Sequence, residues 1–187
     1  PKLGVEIRPI PEITLRAAVF QSVKHRYIFD QTLEPTHIAG FNQAFQDYNG
    51  TKSTAYGVGA DWHPLPWLWI GGEATWRDLE QPVFRDSGTA TASVGSFDGS
   101  ANTIRGYIGA TFGPQFAATL AAEQTTVELS RVAGGSEELE TLLAPASLRW
   151  FHPIGAFAAA EAVYYNQDRA RQAPSAGESP GSTNGLV

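Results

Sequence analysis

The chain of 187 residues contains no cysteine. Disulfide scaffolds, thiolate zinc sites and cysteine nucleophiles are therefore excluded. It contains no methionine either, which predicts a processed chain or a piece of a longer one. Basic residues are scarce: 13 Lys and Arg stand against 19 Asp and Glu, a formal net charge of −6. That balance argues against nucleic acid, which asks for a basic stripe. Charged residues of both signs reach only 17%, against roughly 25% in soluble domains. Long hydrophobic runs are missing too. A membrane-spanning helix needs about 20 mainly apolar residues. The longest uncharged stretches here are interrupted by Gly113-Pro114 or His152-Pro153. No apolar segment of a signal peptide follows Pro1-Lys2-Leu3-Gly4. Aromatics, by contrast, make up 11% of the chain, with 5 Trp, and Gly numbers 19. The length suits one domain with a sizeable core.

The hydrophobic period is 2, not 3.6. Leu68, Ile70, Gly72, Ala74 and Trp76 alternate with Trp69, Gly71, Glu73, Thr75 and Arg77. Ile104, Gly106, Ile108, Ala110 and Phe112 repeat the pattern, as do Phe116, Ala118, Leu120 and Ala122. So do Leu142, Ala144, Ala146, Leu148 and Trp150, and near the start Ile13, Leu15, Ala17 and Val19. Four tight connections contain Pro: around Pro9-Ile10-Pro11, His63-Pro64-Leu65-Pro66, Gly113-Pro114 and His152-Pro153. Pro fixes φ and donates nothing to a ladder, so these read as hairpin tips. Long polar stretches lie between them, at 24–52, 79–101, 128–139 and 168–187. The spacing predicts eight strands in four hairpins, near 2–8, 12–23, 53–63, 67–78, 102–112, 115–127, 140–151 and 154–167. Residues 1–167 then form one unit, with 168–187 as loop or flexible tail. Pro145 falls inside a predicted strand and suggests a bulge, an edge position or a shifted register.

Short turns at one end, long loops at the other and apolar/polar alternation predict an all-β, antiparallel, up-and-down transmembrane β-barrel. Lipid cannot hydrogen-bond a backbone, so spanning strands must pair in a closed sheet. From Trp67 to Trp76 is nine steps, about 30 Å at roughly 3.3 Å each. Tilted by about 40°, this gives about 23 Å of height, near the expected apolar band of about 25 Å. Trp62, Trp67, Phe112, Phe116 and Trp150 gather beside the tight turns, and Trp76 and Tyr164 toward the other ends. Two aromatic girdles at two interfaces have this arrangement. A soluble antiparallel sandwich or barrel alternates too, but its strands usually run five or six residues.

Some segments resemble a known family. Pro1-Lys2-Leu3-Gly4-Val5-Glu6-Ile7-Arg8-Pro9-Ile10-Pro11, with Ile13-Thr14-Leu15-Arg16-Ala17-Ala18 after it, resembles a barrel hairpin of TonB-dependent outer-membrane receptors. Leu33-Glu34-Pro35-Thr36-His37-Ile38-Ala39-Gly40-Phe41-Asn42-Gln43 is similar to a segment of large outer-membrane barrels of that kind. It is equally similar to segments of barrels fused to tetratricopeptide repeats. The resemblance covers most of residues 1–167. It implies a Gram-negative outer-membrane protein surrounded by lipid, with a plug domain and the TonB complex as partners through parts of the protein outside this sequence. The chain opens in a strand and ends on Gly185-Leu186-Val187 rather than on an aromatic residue. Eight strands taken from a larger barrel are the expectation.

On this reading Glu6, Arg8, Arg16, Asp61, Glu73, Arg77, Arg105, Glu123, Arg149 and Glu161 face the lumen. As a set they fit a water-facing or protein-filled interior. Singly, each reads first as a member of a salt-bridge network. Arg26, Tyr27, Phe29, Phe41, Phe45 and Tyr48 form an unusually aromatic loop. It fits ligand contact or, the favoured reading, packing over the barrel mouth. The acidic residues Asp86, Asp98, Glu137, Glu138 and Glu140, expected in loops, match no calcium-loop spacing. His63 and His152 each precede Pro in a turn, and with His25 and His37 they form no metal-ligand spacing. No nucleophile elbow or paired-acid motif stands out, so neither an enzyme, a cofactor nor a metal site is expected. Three functions remain: a barrel of TonB-receptor type for uptake of a scarce ligand such as a metal chelate, a barrel of a repeat-containing export or anchoring protein, and a soluble β-rich binding domain.

Overall fold

The computed structural model describes residues 1–23, 37–42, 50–85, 93–130, 136–172 and 181–186. Among them there is no helix. The elements are β1 (Lys2–Ile10), β2 (Ile13–Val23), β3 (His37–Ile38), β4 (Phe41–Asn42), β5 (Lys52–Leu65) and β6 (Leu68–Arg85). They continue with β7 (Ser93–Phe112), β8 (Phe116–Ser130), β9 (Ser136–Phe151), β10 (Phe157–Gln172) and β11 (Gly181–Leu186). Nine of them form one sheet in the order β1-β2-β5-β6-β7-β8-β9-β10-β11, and β3 pairs with β4 alone. Each strand of the large sheet is antiparallel to the next, so the architecture is up-and-down. Among the described residues no strand pairs with the outer edge of β1 or of β11. The sheet is therefore open, and closure into a barrel is not seen.

Several strands outrun the sequence reading. Residues 79–101, expected as a polar loop, continue the β6–β7 ladder as far as Arg85 opposite Ser93. The stretch 128–139 likewise holds the end of β8 and the start of β9. In 168–187, β10 runs on to Gln172 and β11 pairs Gly181 to Leu186 with Arg169 to Tyr164. The physical reason is common to all three. Beyond the apolar band both faces of a strand can be polar, so the alternation that marks a half-buried strand disappears while the backbone ladder persists. The acidic residues Asp98, Glu137, Glu138 and Glu140 consequently lie in strands, not loops, while Asp86 lies outside the described residues.

The tight turns also carry detail. His63 and Pro64 lie within β5, and the tip falls at Pro66-Trp67. The register shifts between Trp62 and Leu65, and again between Ile7 and Ile10. A bulge there tolerates a residue without an N–H. Pro145 makes no bulge. Pairing to β8 lapses at Ala144 and Pro145 and resumes at Leu143 in the same register, while pairing to β10 runs straight through Val163. The missing donor faces β8. In the last tip the His152 N–H donates to the Ala156 carbonyl at 2.7 Å, and Gly155 takes φ of 90°.

Candidate functional site

Cross-strand pairs share a face, so the register sorts every side chain. One face carries Leu3, Val5 and Ile7 on β1, Ile13, Leu15, Ala17 and Val19 on β2, and Tyr56, Val58, Ala60 and Trp62 on β5. It continues through the alternate residues Leu68 to Trp76, Ile104 to Phe112, Phe116 to Ala122, Leu142 to Trp150 and Ala158 to Tyr164. No charge interrupts this band on eight consecutive strands. Its large side chains are open: Leu120 is 53% exposed and Ile104 64%. The predicted girdle residues Trp62, Trp76, Phe112, Phe116, Trp150 and Tyr164 all belong to this face, and Trp67 stands exposed at a tip. Trp62, Phe112, Phe116 and Trp150 sit at the tight-turn end, Tyr56, Trp76 and Tyr164 at the other.

Above the second aromatic row the same face turns acidic. Glu80 lies opposite Asp98, Glu128 opposite Glu138, and Glu140 opposite Asp168. Like charges directly opposite are unfavourable by a few tenths of a kcal/mol. Glu138→Gln is therefore expected to stabilise the sheet by about 0.2–1 kcal/mol, read as a rise in the midpoint of urea unfolding in detergent.

The other face holds all ten residues predicted to face the lumen. One row runs Glu6, Arg16, Gly59, Glu73, Arg105, Glu123 across six strands. Signs alternate along it, and Gly59 leaves the space through which Arg16 reaches Glu73: a Cβ there would lie 3.2 Å from Arg16 Nη2. Arg16 Nε stands 2.9 Å from Asp61 Oδ2, and Nη2 stands 3.6 Å from Glu73 Oε2. The first contact is an ion pair without hydrogen-bond alignment. Arg105 lies 3.7 Å from Glu73 and 3.9 Å from Glu123. The Arg16 side chain is only 10% exposed, so its pairing compensates a desolvated charge. Arg149 and Glu161, 3.5 Å apart, and Arg8 and Glu6, 2.8 Å apart, are open to solvent. Arg77 donates to Ser53 Oγ at 3.4 Å.

Two aromatics on this face escaped sequence reasoning, because only the register pairs them with glycines. Tyr107 lies opposite Gly71, and Trp69 opposite Gly109. Each ring folds flat over its glycine, in space that any Cβ would occupy. Tyr107 also donates its hydroxyl proton to Asp61 Oδ1, joining the Arg16 network. Trp69, Tyr107, Arg105, Thr119, Arg149 and Glu161 line a groove of about 340 Å³ on this face. The pair Arg169–Glu137 was missed because both residues read as loop or loop margin.

Of the aromatic loop, Phe41 is described, while Arg26, Tyr27, Phe29, Phe45 and Tyr48 lie outside the described residues. β3 and β4 form a two-residue hairpin whose turn, Ala39-Gly40, takes φ of 47° and 84°. Positive φ at both turn positions matches the twist of the flanking strands. The hairpin lies against the charged face. Phe41 is 1% exposed and packs with Phe20 and Ala55. The Arg16 guanidinium sits 5.2 Å from its ring centroid. Phe41 thus packs rather than presenting itself for contact. A Cβ on Gly57 would come within 2.8 Å of the ring. Gly57→Val is expected to overpack this contact by about 1–3 kcal/mol and to speed chymotrypsin cleavage at Phe41.

Among the described residues no three His, Asp or Glu side chains stand close enough to hold a metal ion. His152 Nδ1 accepts from the Ile154 N–H at 3.3 Å, a turn contact. No protein-family model, curated protein or solved structure matches this chain.

Proposed function

We propose that the chain is a wall segment of a Gram-negative outer-membrane β-barrel of TonB-dependent-receptor type. The barrel takes up a scarce ligand such as a metal chelate. One observation carries the membrane half of this reading: eight neighbouring strands present one uncharged, solvent-open face bounded by two aromatic rows. In water such a patch is far above the few hundred Å² that monomers tolerate. In lipid it is the expected outer surface. The opposite face, with its alternating charges, suits a hydrated interior or contact with a plug domain.

The uptake half rests on the resemblance of residues 1–18 and 33–43 to receptor barrels. In that setting the TonB complex supplies energy and outer-membrane lipid surrounds the wall. The test has two parts. The chain, exported from a Gram-negative host, is expected in the detergent-resistant outer-membrane fraction; recovery as soluble periplasmic protein contradicts the reading. Disrupting the parent gene is expected to impair growth when a metal is withheld by a chelator, with recovery on free metal. Unimpaired growth across the scarce metals contradicts uptake.

A further inference from the structure

The β3–β4 hairpin belongs to the connection from β2 to β5, yet it does not lie at the end of the sheet where that connection starts. The β2–β5 ladder ends at Val23 opposite Lys52. Gly57 lies five residues along it from Lys52, toward the tight turns. Five steps at roughly 3.3 Å each are about 16 Å. There the Phe41 ring stands 2.8 Å from where a Cβ on Gly57 would be. Ala39 Cβ stands 2.9 Å, and Ile38 Cγ2 3.0 Å, from where one on Gly4 would be. Gly4 and Gly57 both lie opposite Ala18, so the hairpin is seated on one cross-strand row. That row falls just inside the second aromatic row, since Gly57 follows Tyr56 on its tight-turn side. The hairpin therefore sits at the depth of the apolar band, on the opposite face.

The wall is shaped to receive it. On the charged face β1, β2 and β5 carry Gly4, Ala18, Ala55, Gly57 and Gly59, while β6 carries Arg77, Thr75 and Glu73 at the same levels. The small residues make a socket, and the hairpin is its occupant. Phe41, Phe20 and Ala55 are the buried core there. Arg16 Nη1 donates to the Ala39 carbonyl at 3.5 Å, and its guanidinium also faces the Phe41 ring. Hydrophobic contact and a buried cation thus hold one segment in one place.

Depth and side together carry a consequence. Lipid satisfies no backbone group, so non-helical connecting chain at membrane depth occurs only inside protein or along a water-filled cavity. We infer that the β3–β4 hairpin is a strap held inside the lumen, docked in the glycine socket of β1, β2 and β5. Stacked strand layers stand about 10 Å apart, and the strap takes that width from the passage on its side. It leaves the charged face of β7 to β10, with the groove beside Arg105 and Arg149, to whatever passes. The inference rests on the membrane reading above and adds to it a fixed constriction supplied by the chain itself.

The test uses the unmodified 187-residue chain, reconstituted in phosphatidylcholine nanodiscs and followed by NMR. Spectra are compared with and without lipid carrying a nitroxide at the end of its acyl chain. The expected result is a cross-peak from the Phe41 ring to Gly57, loss of the Leu120 and Ile104 methyl signals on adding the nitroxide, and survival of the Phe41 ring signals. Loss of the Leu120 signal without a Phe41–Gly57 cross-peak, or with the Phe41 ring lost as well, overturns the inference and leaves the membrane reading intact. A chain that stays out of the nanodisc, or folds with its Leu120 and Ile104 signals preserved, removes the membrane reading, and the inference with it.

Discussion

Leu120→Arg is expected to reduce insertion of the chain into lipid by roughly 30- to 700-fold, while Ala121→Arg, one residue along, leaves it nearly unchanged. The first figure is a penalty of about 2–4 kcal/mol for a basic residue at the bilayer midplane, converted at about 1.4 kcal/mol per tenfold. Leu120 lies in the middle of the apolar band, paired with Ile108 and Ala146. Ala121 points to the opposite face, where it lines the groove beside Arg105 and Glu161. The contrast separates two physical accounts of one side chain. Leu120 is more than half exposed. At such a site on a water-soluble protein, exchange for Arg changes stability by no more than about 0.5 kcal/mol. The measurement is the fraction of each variant that floats with vesicles in a density gradient.

Arg16→Met is expected to destabilise the sheet by about 3–5 kcal/mol, because it strands Asp61 as an uncompensated buried carboxylate and leaves Glu73 with Arg105 alone. Both lie within ion-pair distance of the one guanidinium, and both are about four-fifths buried. The change also removes the cation above the Phe41 ring. Arg149→Met is the control. Its partner Glu161 and its own side chain are more than half exposed, and such pairs contribute about 0–1 kcal/mol. Combining Arg16→Met with Asp61→Asn and Glu73→Gln is expected to restore most of the loss, since the buried charges go together. Urea unfolding of the three variants and the unmodified chain in one detergent, followed by circular dichroism, reads all of these differences.

The pairing of strands was legible where a strand meets two different media. From Leu68 to Trp76 one face is apolar and the other polar, and period 2 is plain in the residues. The same strand from Leu79 to Arg85 carries no such contrast: Glu80 and Gln81 fall on opposite faces, and Pro82 reads as a strand breaker. β11 was invisible for the same reason: Gly181-Ser182-Thr183-Asn184-Gly185 has turn composition, and only its ladder to β10 makes it a strand. The charged residues could be assigned to one face from parity along each strand. Their partners could not, since Arg16 reaches Asp61 across the β2–β5 pairing, which no tight turn fixes, and Glu73 across β5 through a β5–β6 register offset by the bulge at its tip. Gly59, Gly71 and Gly109 read as generic strand glycines until the neighbouring strand showed what lies over them. Phe41 is the instructive member of the aromatic loop. Its burial depends on a hairpin that turns back onto the sheet, and no local pattern announces that return.

The central claim is that the uncharged face meets lipid. Partition of the unmodified chain between plain buffer and lipid vesicles, with circular dichroism on each fraction, tests it most directly. If the face meets lipid, β-structure develops only in the vesicle fraction, and the chain left in buffer is unfolded or aggregated. A monomeric, cooperatively folding, β-rich chain in plain buffer would contradict the claim, because the same face would then be covered by protein.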